Sequence, residues 1–210
     1  MASDLPAYLV DLLRDLVGRR ELVANATYIF MAAENGLRLV NEPEQIAAFE
    51  YASTIVSDGL LSLLRSIRPG AREDELERNF DSCGLALSCH RMVSFGGKAR
   101  RGLSSASANR ARLGDAFTAA FGVAGGLSCR AGVVAHGPDD LPAETAGFFP
   151  RFAANYFDVA CAWYEALKVG ASAGEVYSCA ERARNTDLYD FAVNPGHYIH
   201  LDEWVHSPFY

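Results

Sequence analysis

The chain has 210 residues, half of them hydrophobic, 11% aromatic and 21% charged; this globular balance excludes a disordered tail, a collagen-like repeat and a coiled coil. Nineteen basic against 26 acidic side chains give a formal charge of −7, so the bulk field repels a phosphate backbone and nucleic acid is not an expected partner. The longest uncharged stretch, Ala116 to Cys129, has 14 residues with three glycines, too short and too broken to cross a hydrocarbon core of ~30 Å, so no membrane association is expected.

The first residues, Met-Ala-Ser-Asp-Leu-Pro, carry an acid where an export signal carries bases, which points to a cytoplasmic protein. Five cysteines, Cys83, Cys89, Cys129, Cys161 and Cys179, form no CxxC pair. The expectation is buried, reduced thiols rather than a disulfide frame or a zinc knot.

In chain order, residues 5–17 place apolar groups at helical spacing and stop at Gly18, which predicts a short amphipathic helix. Residues 27–31 have weak strand character. Asn41-Glu42-Pro43-Glu44 predicts a helix start, with Asn41 as N-cap and Pro43 in the first turn. That helix runs through Phe49, Ile55, Leu60 and Leu63 to the break at Pro69-Gly70. A second helix is expected over 73–88, with Leu76, Phe80 and Cys83 on its inner side. Met92–Gly97 reads as a strand, 98–112 as a polar loop, and 115–122 with 127–135 as a hairpin closed at Ala124-Gly125-Gly126. A long helix over 144–168 is expected to break or start late near Arg151 because of Pro150.

The second half echoes the first. Leu64-Arg65-Ser66-Ile67-Arg68-Pro69-Gly70-Ala71 with Glu75 returns one hundred residues later as Tyr164-Glu165-Ala166-Leu167-Lys168-Val169-Gly170-Ala171 with Glu175. Ser172 and Glu175 form a capping box, where the first copy has Arg72. Helix, helix, strands, repeated, implies an α+β domain with internal pseudo-twofold symmetry.

This duplicated order, with Gly114-Asp115 entering a strand, the Gly-Gly hairpin and Pro195-Gly196-His197, resembles the pita-bread fold of the creatinase, aminopeptidase P and methionine aminopeptidase superfamily. The resemblance covers about residues 42–206. It implies that 1–41 are the remnant of an N-terminal domain or a linker, and that 42–210 form a catalytic-like domain, C-terminally incomplete. Active members hold two metal ions with two aspartates, a histidine and two glutamates. The resemblance sets the aspartates at Ala120 and Ala131, matches His197 to the histidine, and puts the glutamates beyond Tyr210. No dinuclear site and no other cofactor is therefore expected.

The densest titratable cluster is His197 to His206. Read as one strand, it would bring His200, Asp202, Trp204 and His206 to one face. His197, His200, His206, Asp202 and Glu203 are candidate acid–base groups for metal-independent hydrolysis or lysis of a small polar or amino-acid-like substrate. A mononuclear zinc site from the three histidines and a purely structural role are the other readings. Lys98, Arg100, Arg101, Arg110 and Arg112 are either solvated loop charges or an anion clamp. Arg130 with Trp204, Lys98 and Arg101 are the candidate substrate contacts, Cys129 and Arg130 being expected to face the cavity together. The alternative to an enzyme is a non-catalytic binding module or a subunit of a larger assembly. The expected partners are a small molecule or peptide, and a homodimer mate or second chain completing the sheet.

Overall fold

The computed structural model describes residues 7–19, 22–24, 26–32, 35–192, 195–196, 198–200 and 203–206; for residues 27, 31 and the last two segments only the backbone is described. Helix α1, Ala7–Val17, forms where the periodicity places it, yet buries none of its residues. Residues 27–31 correct the expected strand: Thr27–Met31 is a short helix, α2. The Phe30 and Ala32 N–H groups donate to the Ala26 and Tyr28 carbonyls, so backbone groups that a strand would pair with a neighbour are satisfied within the segment.

Helix α3, Pro43–Ser66, is the spine of the first half. Its N-cap is Glu42 rather than Asn41, because the Glu42 N–H donates to Gln45 Oε1 at 2.8 Å and Pro43 then occupies the first helical position, where its missing donor costs nothing. Phe49, Ala52, Ile55, Val56, Gly59, Leu60 and Leu63 are its buried face. The corner after it turns on Gly70 at φ +89°, and the equivalent corner a hundred residues on turns on Gly170 at φ +91°, a backbone state that a side chain would strain.

The helix expected over 73–88 is much shorter. Only Glu73–Leu76, α4, is α-helical, followed by a 3₁₀ turn over Glu77–Asn79. Asn79 Nδ2 donates to the Leu76 carbonyl at 2.7 Å, and Asp81 Oδ1 accepts the Cys83 N–H at 2.9 Å. Side chains thus take hydrogen bonds that a continuing helix would need. Phe80 still reaches the core, but Cys83 is exposed with φ +50°.

Strands β1, Met92–Phe95, β2, Ala116–Val123, and β3, Gly126–Val133, form an antiparallel sheet in that order. The hairpin closes as expected, with Val123 opposite Gly126. Phe121 stacks on Phe80 at 4.7 Å between ring centres, and Val93, Phe95, Ala119 and Val123 join the same core with α3.

In the second half a π-helical turn over Phe148–Ala153 precedes α5, Ala154–Ala166, which is the delayed start expected at Pro150. Helix α6, Ala173–Ala183, opens with the Ser172–Glu175 capping box. Asn155 ties the two together, donating to the Ala183 carbonyl and accepting the Asn185 N–H, both at 2.9 Å. Val159, Val176 and Ala180 are its buried apolar residues among those described. Strands β4, Tyr198–His200, and β5, Glu203–His206, pair antiparallel. The order α3–α4–sheet followed by α5–α6–sheet repeats the duplicated pattern of the sequence.

The chain exposes 13522 Å², against about 9,600 Å² for a compact monomer of this mass. Part of that surface is apolar: Leu12, Leu13 and Leu16 of α1 and Phe157 and Tyr164 of α5 are all exposed. Among the described residues no helix is long and apolar enough to cross a membrane. None of the five cysteines is in a disulfide, and Cys83, Cys129 and Cys161 are exposed, which corrects the expectation of buried thiols. Cys83 follows the early helix end, and Cys129 lies on an edge strand.

Candidate functional site

The register of the hairpin determines which groups share a face. One side, bearing Phe117, Ala119, Phe121 and Val123, faces the core. The other carries Thr118, Ala120 and Gly122 of β2, Met92 and Ser94 of β1, and Cys129 and Ala131 of β3. Ala120 is opposite Cys129 and Ala131 opposite Thr118, so residues 120 and 131 are diagonal neighbours on one face. Two carboxylates here would meet over a single point.

Instead the face holds methyl groups and hydroxyls. Ala120 is fully buried, whereas Ala131 is exposed. Ser94 Oγ and Thr118 Oγ1 lie 2.8 Å apart in a hydroxyl pair, and Thr118 also donates to the Gly102 carbonyl at 3.4 Å. A methyl group offers a cation no lone pair, and the hydroxyls are engaged with each other and with backbone. The residues at these positions do not fit a pair of divalent ions, which need hard anionic oxygens. Among the described residues no group of three His, Cys, Asp or Glu could hold a metal ion.

Period-two alternation also separates two groups that the sequence reading had joined. Arg130 pairs with Ala119 and Cys129 with Ala120, so they lie on opposite faces. Arg130 is exposed and donates to Ser128 Oγ at 2.8 Å and to the Cys129 carbonyl at 2.6 Å.

The basic loop divides in the same way. Arg101 sits exposed at the end of a 3₁₀ turn over Ala99–Arg101. Lys98 is committed: its ammonium pairs with Glu73 Oε2 at 2.6 Å and also donates to the Ser105 carbonyl and Ser107 Oγ. Arg110 donates to the Gly70 carbonyl at 2.7 Å.

Glu73 itself is the principal group that sequence reading missed. It is fully buried and accepts from Phe95 N–H, Lys98 Nζ, Ser107 N–H, Ser107 Oγ and Asn109 Nδ2, all within 3.0 Å. Burial pushes its carboxyl up, but the bonds from Lys98, Ser107, Asn109 and the Phe95 backbone outweigh that and hold it below the usual carboxylate range. One carboxylate thereby fastens α4, β1 and the 98–109 loop. The only trace in the sequence is an acidic run, Glu73-Asp74-Glu75, at a helix start, which by itself says nothing of burial.

The C-terminal cluster is a hairpin, not one strand. Tyr198 is opposite His206, Ile199 opposite Trp204 and His200 opposite Glu203, with an irregularity after Tyr198. This corrects the expectation that His200, Asp202, Trp204 and His206 share a face of one strand: residues 198–200 and 203–206 are two strands paired antiparallel. His197 and Asp202 lie outside the described residues.

No protein-family model matches the sequence, and no curated protein matches it either. Solved structures do. A prolidase from Pyrococcus horikoshii OT3 superposes with a TM-score of 0.67 at 21% identity, over 97% of this chain and 58% of its own. The prolidase from Pyrococcus furiosus gives 0.69 at 18%, over 98% and 59%. An Xaa-Pro dipeptidase from Bacillus anthracis gives 0.66 at 17%, over 95% and 62%.

The chain has the pita-bread fold. It spans about three fifths of the length of the prolidases it matches, and at these identities the likeness concerns architecture.

Proposed function

We propose that this chain uses the pita-bread fold to engage a small polar, peptide or amino-acid-like ligand without a dinuclear metal centre. The observation that carries the reading is the alanine pair: positions 120 and 131 share one face of the hairpin, and neither bears a metal-binding oxygen. One of the solved neighbours is named an Xaa-Pro dipeptidase, so a proline dipeptide is the natural first probe. Mixed with glycyl-proline and manganese, the full chain should give a heat of binding and no manganese-dependent product. Manganese-dependent hydrolysis, or neither binding nor turnover, removes the proposal.

A second, catalytic reading is favoured by the register that sets His200 opposite Glu203. Histidine and carboxylate are the residue types that move protons in general acid–base catalysis, and the register sets these two positions opposite one another. In the same assay this reading expects slow hydrolysis that persists in EDTA and disappears in His200→Ala with the fold intact. Product that survives His200→Ala removes it.

A second copy, or another chain, against the exposed apolar face of α1 belongs to the proposal as well. The surface in excess of a compact monomer and the absence of any buried residue in α1 support it. Sedimentation velocity should then show a concentration-dependent assembly, and a single monomeric boundary at every concentration contradicts it.

A further inference from the structure

Away from the hairpin, the second half contains a cleft of about 560 Å³, within the range of small-molecule sites. Its walls are Phe152, Tyr156, Trp163 and Tyr164 from the α5 side and Tyr189 and Phe191 from the segment after α6, and among the described residues the single charged one lining it is Asp190. The rings are not a random apolar patch. Phe152 stacks near Tyr156 at 6.5 Å and tilts against Tyr189 at 5.2 Å, and Trp163 meets Tyr164 edge-on at 5.1 Å.

The far wall is preformed. Arg184, whose side chain is only 7% exposed, is paired with Glu181, donates to the Tyr189 carbonyl at 2.5 Å and meets Asp190 at 2.6 Å. Its guanidinium lies 5.5 Å from the centre of the Phe191 ring. The wall thus already carries a cation held by one ring face and carboxylates. Asp190 meets Arg184 through Oδ1 and its side chain remains 88% exposed, so Asp190 and Glu181 together outweigh the one guanidinium and the wall keeps an excess of negative charge. The Tyr189 hydroxyl is buried with no hydrogen-bond partner among the described residues.

We infer that this aromatic cleft is a binding site for an alkylated ammonium group, with ring faces around the cation and Asp190 as its counter-charge. Ring quadrupoles attract a cation most strongly where it is desolvated. A strongly hydrated ammonium loses too much water on entering, whereas a trimethylated one has little to lose and presents methyl groups that pack against the rings. An anionic ligand would meet Asp190, and an uncharged apolar ligand leaves that charge unused. The inference stands on the second half alone and needs nothing from the hairpin face.

The test is calorimetric titration of the full chain with choline and with its uncharged isostere 3,3-dimethylbutan-1-ol. Choline should bind about tenfold more tightly, in line with a cation–π contribution. Asp190→Asn, at an exposed side chain, should weaken choline several-fold and leave the isostere nearly unaffected, whereas Tyr156→Ala, also at an exposed side chain, should weaken choline more than the isostere, both with an unchanged circular dichroism spectrum. Equal binding of the two probes overturns the charge argument. No choline binding at all, including the case in which a second copy of the chain covers the cleft, overturns the site.

Discussion

Glu73→Ala should cost about 3–5 kcal/mol, since it breaks a buried ion pair and orphans the partners around it. Two of the five donors it serves are backbone N–H groups, of Phe95 and Ser107, which cannot swing out to solvent. Lys98 can, its side chain being 25% exposed, so the loss falls mainly on β1 and the 98–109 loop. Glu73→Gln should recover little, because an amide turns N–H groups towards Lys98 and Ser107, which are themselves donors. Urea denaturation of each variant beside the parent measures the difference, and a change below about 0.5 kcal/mol, the scale of ordinary surface substitutions, refutes the buried-hub account.

The pH dependence has a definite sign. Because the Glu73 carboxyl is held below its ordinary value in the folded chain, the unfolded chain takes up the proton first. Its contribution is whole above the unfolded value of about 4.3 and is lost as pH falls through the folded one. The stability gap between parent and Glu73→Ala should therefore be widest near neutrality and narrow on acidification. A gap that widens towards acid contradicts the assignment.

Phe121→Ala should cost a similar amount, about 3–5 kcal/mol, as a large buried ring replaced by a methyl leaves a cavity that the surroundings fill only in part. Phe121 is fully buried and stacks on Phe80 with 6° between the ring planes. The opposite side is closed by α3: a Cβ added at Gly59 would lie 3.1 Å from the Phe121 ring, so the helix has a glycine where the ring enters. With Phe80→Ala in a double-mutant cycle, the pair should show a coupling of about 0.5–1.5 kcal/mol. Strict additivity means that the two rings do not support one another.

Both predictions concern residues whose roles differ in how visible they were beforehand. Phe121 lies in a strand of a hairpin that the Gly-Gly turn announced, so its element was legible in the sequence while the face it presents was settled by packing. Glu73 lies in a helix start where an acid is unremarkable, and its partners are 22 to 36 residues away. The same contrast separates α3, with its proline and apolar stripe, from the lost helix after Leu76. There Asn79 and Asp81 redirect the backbone, and propensity carries no sign of which alternative prevails.

What the amino-acid order determined by itself is local or periodic: the span of α1, the corners at Gly70 and Gly170, the Ser172 capping box, the 116–133 hairpin, the duplicated architecture and the alanines at 120 and 131. These depend on neighbours within a turn or on a repeating pattern, both written along the chain. Tertiary structure alone decided that Ala120 is sealed while Ala131 is open, that Lys98 is spent on Glu73, that Arg130 and Cys129 part company, and that six rings from two segments line one cleft with Asp190. Those outcomes depend on contacts across tens of residues. Burial and pairing at such distances are set by which surfaces the packed elements bring together, and no local preference encodes that.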